Sequence, residues 1–247
     1  MKIKKKKTNK KGLFINVGVS LLLVSALVVG IYAAFIKIKS AFPVRRVIFI
    51  GNRHLTADEL RTLSGIRRNA SLLTLSGGKV IEKLLGSPWI KSVSVRKEFP
   101  DTLSVIVSEV EPFALLDLKG RLFIINEKGD LLEELKGDTV PFLPIITGDP
   151  SREREGFSEA LTLARAMNEK GLSSERDQIE IVLSKPEELT SVIDGMVIKI
   201  GAGEYKEKLE RLLEIEEDIQ RRKITVDYID LRFANRVVVK PIKEVIR

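Results

Sequence analysis

Between Gly12 and Ile36 the chain runs for 25 residues without a formal charge, directly behind a tail that holds seven lysines in its first eleven positions. As a helix rising about 1.5 Å per residue, the run spans roughly 37 Å, more than the roughly 30 Å of a bilayer's hydrocarbon core. A cleaved signal peptide has a shorter apolar region, about 7 to 15 residues, and a small residue three positions before the cut. Cuts after Ala34 or Ser40 would put the bulky Tyr32 or Ile38 there. The run therefore reads as a permanent transmembrane helix over residues 12–36, behind a basic tail of residues 1–11.

The flanks orient it. Lys2, Lys4, Lys5, Lys6, Lys7, Lys10 and Lys11 precede the run, whereas Lys37, Lys39, Arg45 and Arg46 follow it. The positive-inside rule then places the N-terminus in the cytoplasm and exports everything after the run. The expected location is the cytoplasmic (inner) membrane, crossed once.

Net charge +8 resembles the footprint of a phosphate binder. With the seven tail lysines set aside, the 42 basic residues fall to 35 against 34 acidic ones. The basicity thus belongs to the tail, and no nucleic-acid partner is expected. No cysteine is present, so the exported part has to be held by apolar cores alone.

After a short connector, Val44 to Ile50 is an apolar, β-rich run stopped by Gly51-Asn52. Thr56 and Glu59 have the spacing of a capping box, and Leu60 and Leu63 supply the apolar stripe of the helix it opens. Val80, Ile81, Leu84 and Leu85 mark one face of a second helix, ended by Gly86-Ser87-Pro88. Val93 and Val95 are flanked by polar residues, and Leu103, Val105 and Val107 share one face with Ser104 and Ser108 on the other; the turn Phe99-Pro100-Asp101-Thr102 separates the two segments. The order β-α-α-β-β predicts a three-stranded sheet covered on one face by two helices, an α+β unit.

Short strands follow at Ala114 to Leu118, Arg121 to Asn126 and Leu131 to Leu135. A proline-bearing stretch, Pro141 to Pro150, leads to a helix predicted over Glu159 to Lys170 and closed by Gly171. Strands return at Gln178 to Leu183, Leu189 to Ile193 and Met196 to Ile200, followed by a charged helix from about Glu204 to Arg222. The last two strands are expected over Thr225 to Phe233 and Arg236 to Lys240.

Catalytic chemistry finds little support. His54 is the only histidine and has no cysteine to share a metal with, so a solvated loop residue is the expectation. Without a thiol or a second imidazole, acyl transfer has no familiar nucleophile–base pair. Gly201-Ala202-Gly203 sits between a strand and a helix but completes neither phosphate-loop pattern, and reads as a flexible joint. No cofactor is expected. The terminal strand is more informative: Val237-Val238-Val239 is β-branched, and no later strand follows it in sequence. Its far side is either paired with an earlier strand or left open, and an open edge invites a partner strand.

The segments VRRVIFIGNRHLTADEL, SPWIKSVSVRKEFPDTLSVIVSEVEPFA, GAGEYKEKLERL and IDLRFANRVVVKP, in this order behind one span, resemble the FtsQ/DivIB family of bacterial cell-division proteins. The resemblance implies a polypeptide-transport-associated (POTRA) domain over residues 43–112 and a β-rich domain with flanking helices over 113–241, with 242–247 a short tail. It also implies a non-enzymatic scaffold at the division site, bound on the exported side by FtsB-like and FtsL-like proteins, with other divisome proteins meeting the POTRA domain. In the family an FtsB strand adds beside the last strand. Carried over by position, Arg232, Phe233, Asn235 and Arg236 surround the docking site, and Val237, Val238, Val239 and Lys240 present its backbone. The chain departs from some relatives in carrying Pro241 where a large aromatic can sit. The alternatives are a membrane-anchored cell-envelope hydrolase, which needs converging carboxylates in a cleft, and a POTRA-type translocation component, which needs further POTRA units or a barrel.

Overall fold

The computed structural model of the chain describes residues 10–68, 70–136, 140–234 and 236–242. Lys10–Ala41 forms one helix (α1) of 32 residues. Its consecutive Leu21, Leu22, Leu23 and Val24 are exposed, so apolar side chains face outward on every side. Residues 12–20 and 36 of the uncharged run lie outside those whose side chains are described, as does the whole tail, residues 1–11. Among the described residues, no helix is long and apolar enough to cross a membrane.

The chain beyond α1 falls into two compact units that divide at Glu109. In the first, β1 (Arg46–Ile50), α2 (Ala57–Ser64), α3 (Gly77–Leu85), β2 (Ile90–Glu98) and β3 (Thr102–Glu109) follow in the predicted order. The sheet order is β1-β3-β2, with β3 central, parallel to β1 and antiparallel to β2. The capping box is formed: the Thr56 hydroxyl accepts from the Glu59 amide at 3.3 Å, and the Glu59 carboxylate accepts from the Thr56 amide at 2.8 Å. Leu60, Leu84, Leu103, Val105 and Val107 are buried together where the helices meet one face of the sheet. The first strand begins two residues later than Val44. The Val44 N–H donates to the Ala70 carbonyl at 2.8 Å and Pro43 bridges Ser71, so this stretch is tied to the α2–α3 connection instead of the sheet.

The second unit is built on nine strands: β4 (Ala114–Leu118), β5 (Arg121–Ile125), β6 (Leu131–Glu134), β7 (Ile145–Thr147), β8 (Ile179–Val182), β9 (Thr190–Ile193), β10 (Met196–Lys199), β11 (Val226–Asp230) and β12 (Val238–Pro241). Their order across the sheet is β12-β11-β10-β9-β8-β7-β4-β5-β6. Among the described residues, three α-helices, α4 (Arg154–Glu169), α5 (Leu172–Glu175) and α6 (Tyr205–Arg222), and a 3-10 turn over Pro186–Glu188 interrupt them.

One register row runs across the sheet through Leu116, Ile146, Ile181, Ser191, Ile198, Ile229 and Val239, and its apolar members share a core cluster with Leu163 and Ala164 of α4 and Leu209 and Leu212 of α6. That row is the core, and both long helices cover the same face of the sheet.

Sequence periodicity misses β7 entirely. It has three residues between Pro144 and Gly148, too few to show alternation, yet it lies mid-sheet and runs parallel to both β4 and β8. The α4 helix starts at Arg154, five positions ahead of the expected Glu159, because the Asp149 carbonyl collects the Arg152 and Glu153 amides and starts the turn early. Gly156 then meets the chain beyond β8 so closely that a Cβ would lie 2.0 Å from the Ser184 carbonyl oxygen.

Candidate partner-binding edge

The β11–α6 arrangement aims the end of the chain. Strands β10 and β11 are parallel neighbours, and α6 is the crossover between them. Helix α6 starts after Gly201 and Gly203, both at positive φ. At Gly201 a side chain would press within 3.0 Å of Arg232 Cγ and 3.2 Å of the Glu187 carbonyl oxygen. The Gly-Ala-Gly segment, read from sequence as a flexible joint, therefore makes room for Arg232.

Strand β11 stops at Asp230, short of the expected Phe233, because the chain folds back on itself there. The Asp230 carboxylate accepts three bonds from Arg232: the backbone N–H at 3.1 Å, Nε at 2.9 Å and Nη2 at 2.7 Å. Asp230 is 5% exposed, so its charge is held where water gives little help. The Arg232 guanidinium outweighs that burial and keeps the carboxyl below its ordinary range. Arg211 on α6 holds the next bend, donating from Nη1 to the Phe233 carbonyl at 2.9 Å and the Ala234 carbonyl at 2.7 Å. Arg236 stacks over the Phe233 ring at 4.5 Å. Asn235 lies outside the described residues.

Strand β12 returns antiparallel to β11, pairing Asp230 with Val238, Ile229 with Val239 and Tyr228 with Lys240. It begins at Val238, not Arg236, and Pro241 is its last paired residue. Val237 and Val239 pack against the core, while Val238 and Lys240 are exposed on the other face. Lys240 bridges to Asp227 at 2.7 Å and lies 5.2 Å from the Tyr228 ring; the bond to Asp227 raises its pKa. Tyr228 also receives Lys199 at 4.1 Å, so a tyrosine between two ammonium groups marks the helix-free face.

Among the described residues, β12 pairs with β11 alone and ends the sheet. The Ile242 N–H donates to the Thr225 carbonyl at 2.9 Å, toward β11. Backbone alternation then turns the amides of Lys240 and Val238 inward and those of Val239 and Val237 outward. Pro241 has no N–H but offers its carbonyl outward. The free rim thus consists of Val237, Val239 and the Pro241 carbonyl, with exposed Phe233, Val238 and Ile242 beside it.

Arg232, Phe233 and Arg236 lie between β11 and β12, and each is engaged within the chain: Arg232 by Asp230, the Phe233 carbonyl by Arg211, and Arg236 by the Phe233 ring. Asp230 and Arg211, which hold them, were not singled out from sequence. The Asp-x-Arg spacing was the available signal for the first, since residues two apart in extended chain share a face; nothing local signals the second.

Elsewhere, His54 is exposed and stacks on the Trp89 ring at 3.6 Å. Among the described residues, no group of three metal-ligating side chains converges.

The POTRA domain, FtsQ-type, family model matches residues 42–109, and that of the cell division protein FtsQ/DivIB C-terminal domain matches residues 114–232. The cell division protein FtsQ of Geobacter sp. (strain M21) is 34% identical over 201 residues, covering 77% of this chain and 73% of that protein. The chain belongs to the FtsQ/DivIB family of cell-division proteins. FtsQ of Syntrophotalea carbinolica is 30% identical over 81% of the chain and 74% of the relative. DivIB of Staphylococcus aureus is 29% identical over 45% of the chain and 26% of its own length. The C-terminal FtsQ/DivIB match ends at Arg232, so the β12 rim is described by this chain's own geometry.

Proposed function

We propose that the chain is a single-span, non-enzymatic scaffold of the divisome, anchored in the cytoplasmic membrane by residues 12–36, with an N-terminal cytoplasmic tail and two exported units. The uncharged run behind seven lysines supports the anchor and its direction. In this reading the β12 rim accepts an extended segment of an FtsB-like protein, an FtsL-like protein accompanies it, and the POTRA unit meets other division proteins.

The observation that carries the docking reading is that, among the described residues, β12 is paired on one side only. A guest strand there gains main-chain bonds from Val237, Val239 and Pro241, and apolar contact from Phe233, Val238 and Ile242. Val239→Pro removes an outward N–H at an edge position, where proline is tolerated. Binding of a purified FtsB-like partner to the full chain in nanodiscs is expected to be lost, with the sheet still folded by circular dichroism. Unchanged affinity in a folded variant would remove strand addition.

A further inference from the structure

The POTRA unit has no slack on its tether. Helix α1 ends at Ala41, and the next residue is already fixed: the Phe42 carbonyl accepts from the Leu72 N–H at 2.8 Å, and its ring meets Phe99 edge-on at 5.3 Å. The Arg45 and Arg46 amides both point to the Asp101 carbonyl, at 2.9 and 3.3 Å. The β2–β3 hairpin tip, the start of β1 and the Leu72 loop therefore gather at the end of the unit where α1 leaves.

This end carries bare apolar side chains. Phe99, which meets the Phe42 ring, is 56% exposed, and Leu73, next to the Leu72 that bonds the Phe42 carbonyl, is 42% exposed. Basic groups ring them. Arg45 and Arg46 are exposed, and a cleft beside Ala70 and Ser71 is lined by Arg67, Arg68, Lys79 and Lys83. The two carboxylates nearby are engaged, Glu98 by the Ser104 hydroxyl at 2.8 Å and Asp101 by Thr102 at 2.9 Å and Arg46 at 3.3 Å. An aromatic and a leucine amid arginines, one residue from a membrane helix, match the chemistry of the lipid headgroup zone, where amphipathic surfaces bury apolar side chains and meet phosphates.

We propose that this end of the POTRA unit is a membrane-contact surface. Phe99 and Leu73 enter the headgroup boundary of the bilayer that holds α1, and Arg45, Arg46, Arg67 and Arg68 meet the phosphates of anionic lipids. The unit is thereby held in one orientation on the membrane, in addition to its covalent tether. This rests on the reading of α1 as a span, and the test separates the two.

The chain has no cysteine, so single cysteines can be labelled with an environment-sensitive fluorophore in the full chain in nanodiscs. Phe99→Cys and Leu73→Cys report the contact, each checked for native circular dichroism. Ala26→Cys reports the span. Arg53→Cys, just past the far end of β1 and roughly 16 Å or more from Arg46 at strand rise, is the control. Nitroxides placed shallow or deep in the lipid are the quenchers.

Labels at 99 and 73 are expected to be blue-shifted and quenched by shallow nitroxides, the label at 26 by deep ones, and the label at 53 by neither. Replacing anionic lipid with zwitterionic lipid reduces quenching at 99 and 73 and leaves 26 unchanged. Deep quenching at 26 with none at 99 and 73 overturns the contact and keeps the span. A blue shift at 99 and 73 that appears only when a protein partner is added, without quenching by shallow nitroxides, also overturns it, assigning the patch to that partner. No quenching at 26 removes the span and the contact together.

Discussion

Replacing Arg232 with alanine tests whether this residue acts as an internal clamp. The variant keeps the backbone N–H bond to Asp230 but loses the bonds from Nε and Nη2, at 2.9 and 2.7 Å. The Arg232 side chain is 39% exposed, so the ionic attraction alone is worth only about 0 to 1 kcal/mol. The larger cost comes from Asp230, whose buried carboxylate is left under-satisfied at about 1 to 3 kcal/mol. The expected loss of unfolding free energy at neutral pH is therefore about 1 to 3 kcal/mol, read by urea denaturation.

The pH dependence follows from the same contact. Asp230 titrates lower in the folded chain than when unfolded, so its stabilising contribution is complete above the unfolded carboxylate value of about 3.9 and fades as pH falls through the folded value. The gap between native and Arg232→Ala chains is thus constant from neutrality to about pH 5 and closes below about pH 4. Asp230→Asn in the alanine background recovers part of the loss, since a neutral amide tolerates the burial better. A neutral-pH gap of zero, or one that persists unchanged in acid, would refute the clamp.

Two further substitutions probe the supports of the site. Arg211→Ala releases the Phe233 and Ala234 carbonyls; it should cost about 1 to 2 kcal/mol and speed amide exchange around the β11–β12 bend, while exchange in β7 is unchanged. Gly156→Ala forces a Cβ toward the Ser184 carbonyl, 2.0 Å away in the native geometry, and should destabilise the second unit by about 1 to 3 kcal/mol by thermal unfolding despite alanine's better helix propensity.

Much of the fold was legible because its signals are local. The Thr56–Glu59 box, the 3.6-residue stripe of α3 and the Lys119-Gly120 turn each specify an element within a few residues. What escaped depends on partners distant in sequence. Strand β7 is a strand because Leu116 and Ile181 flank Ile146 on both sides, not through its own three residues. The end of β11 is set by a carboxylate recruiting an arginine two residues on, which an apolar-pattern reading runs straight through. At the candidate edge, the β-branched terminal strand was visible, but which amides face outward was not. That follows from the Ile242 bond to Thr225 and the Leu231 bond to Lys199, which set the phase of the two strands.

Residue-resolved amide hydrogen exchange of β12, in the full chain in nanodiscs with and without a saturating FtsB-like partner, tests the docking edge most directly. The Lys240 amide is expected to be protected in both states, while Val239 exchanges freely alone and becomes protected on binding. A Val239 amide already protected in the free chain, or one that still exchanges freely in the complex, would contradict it.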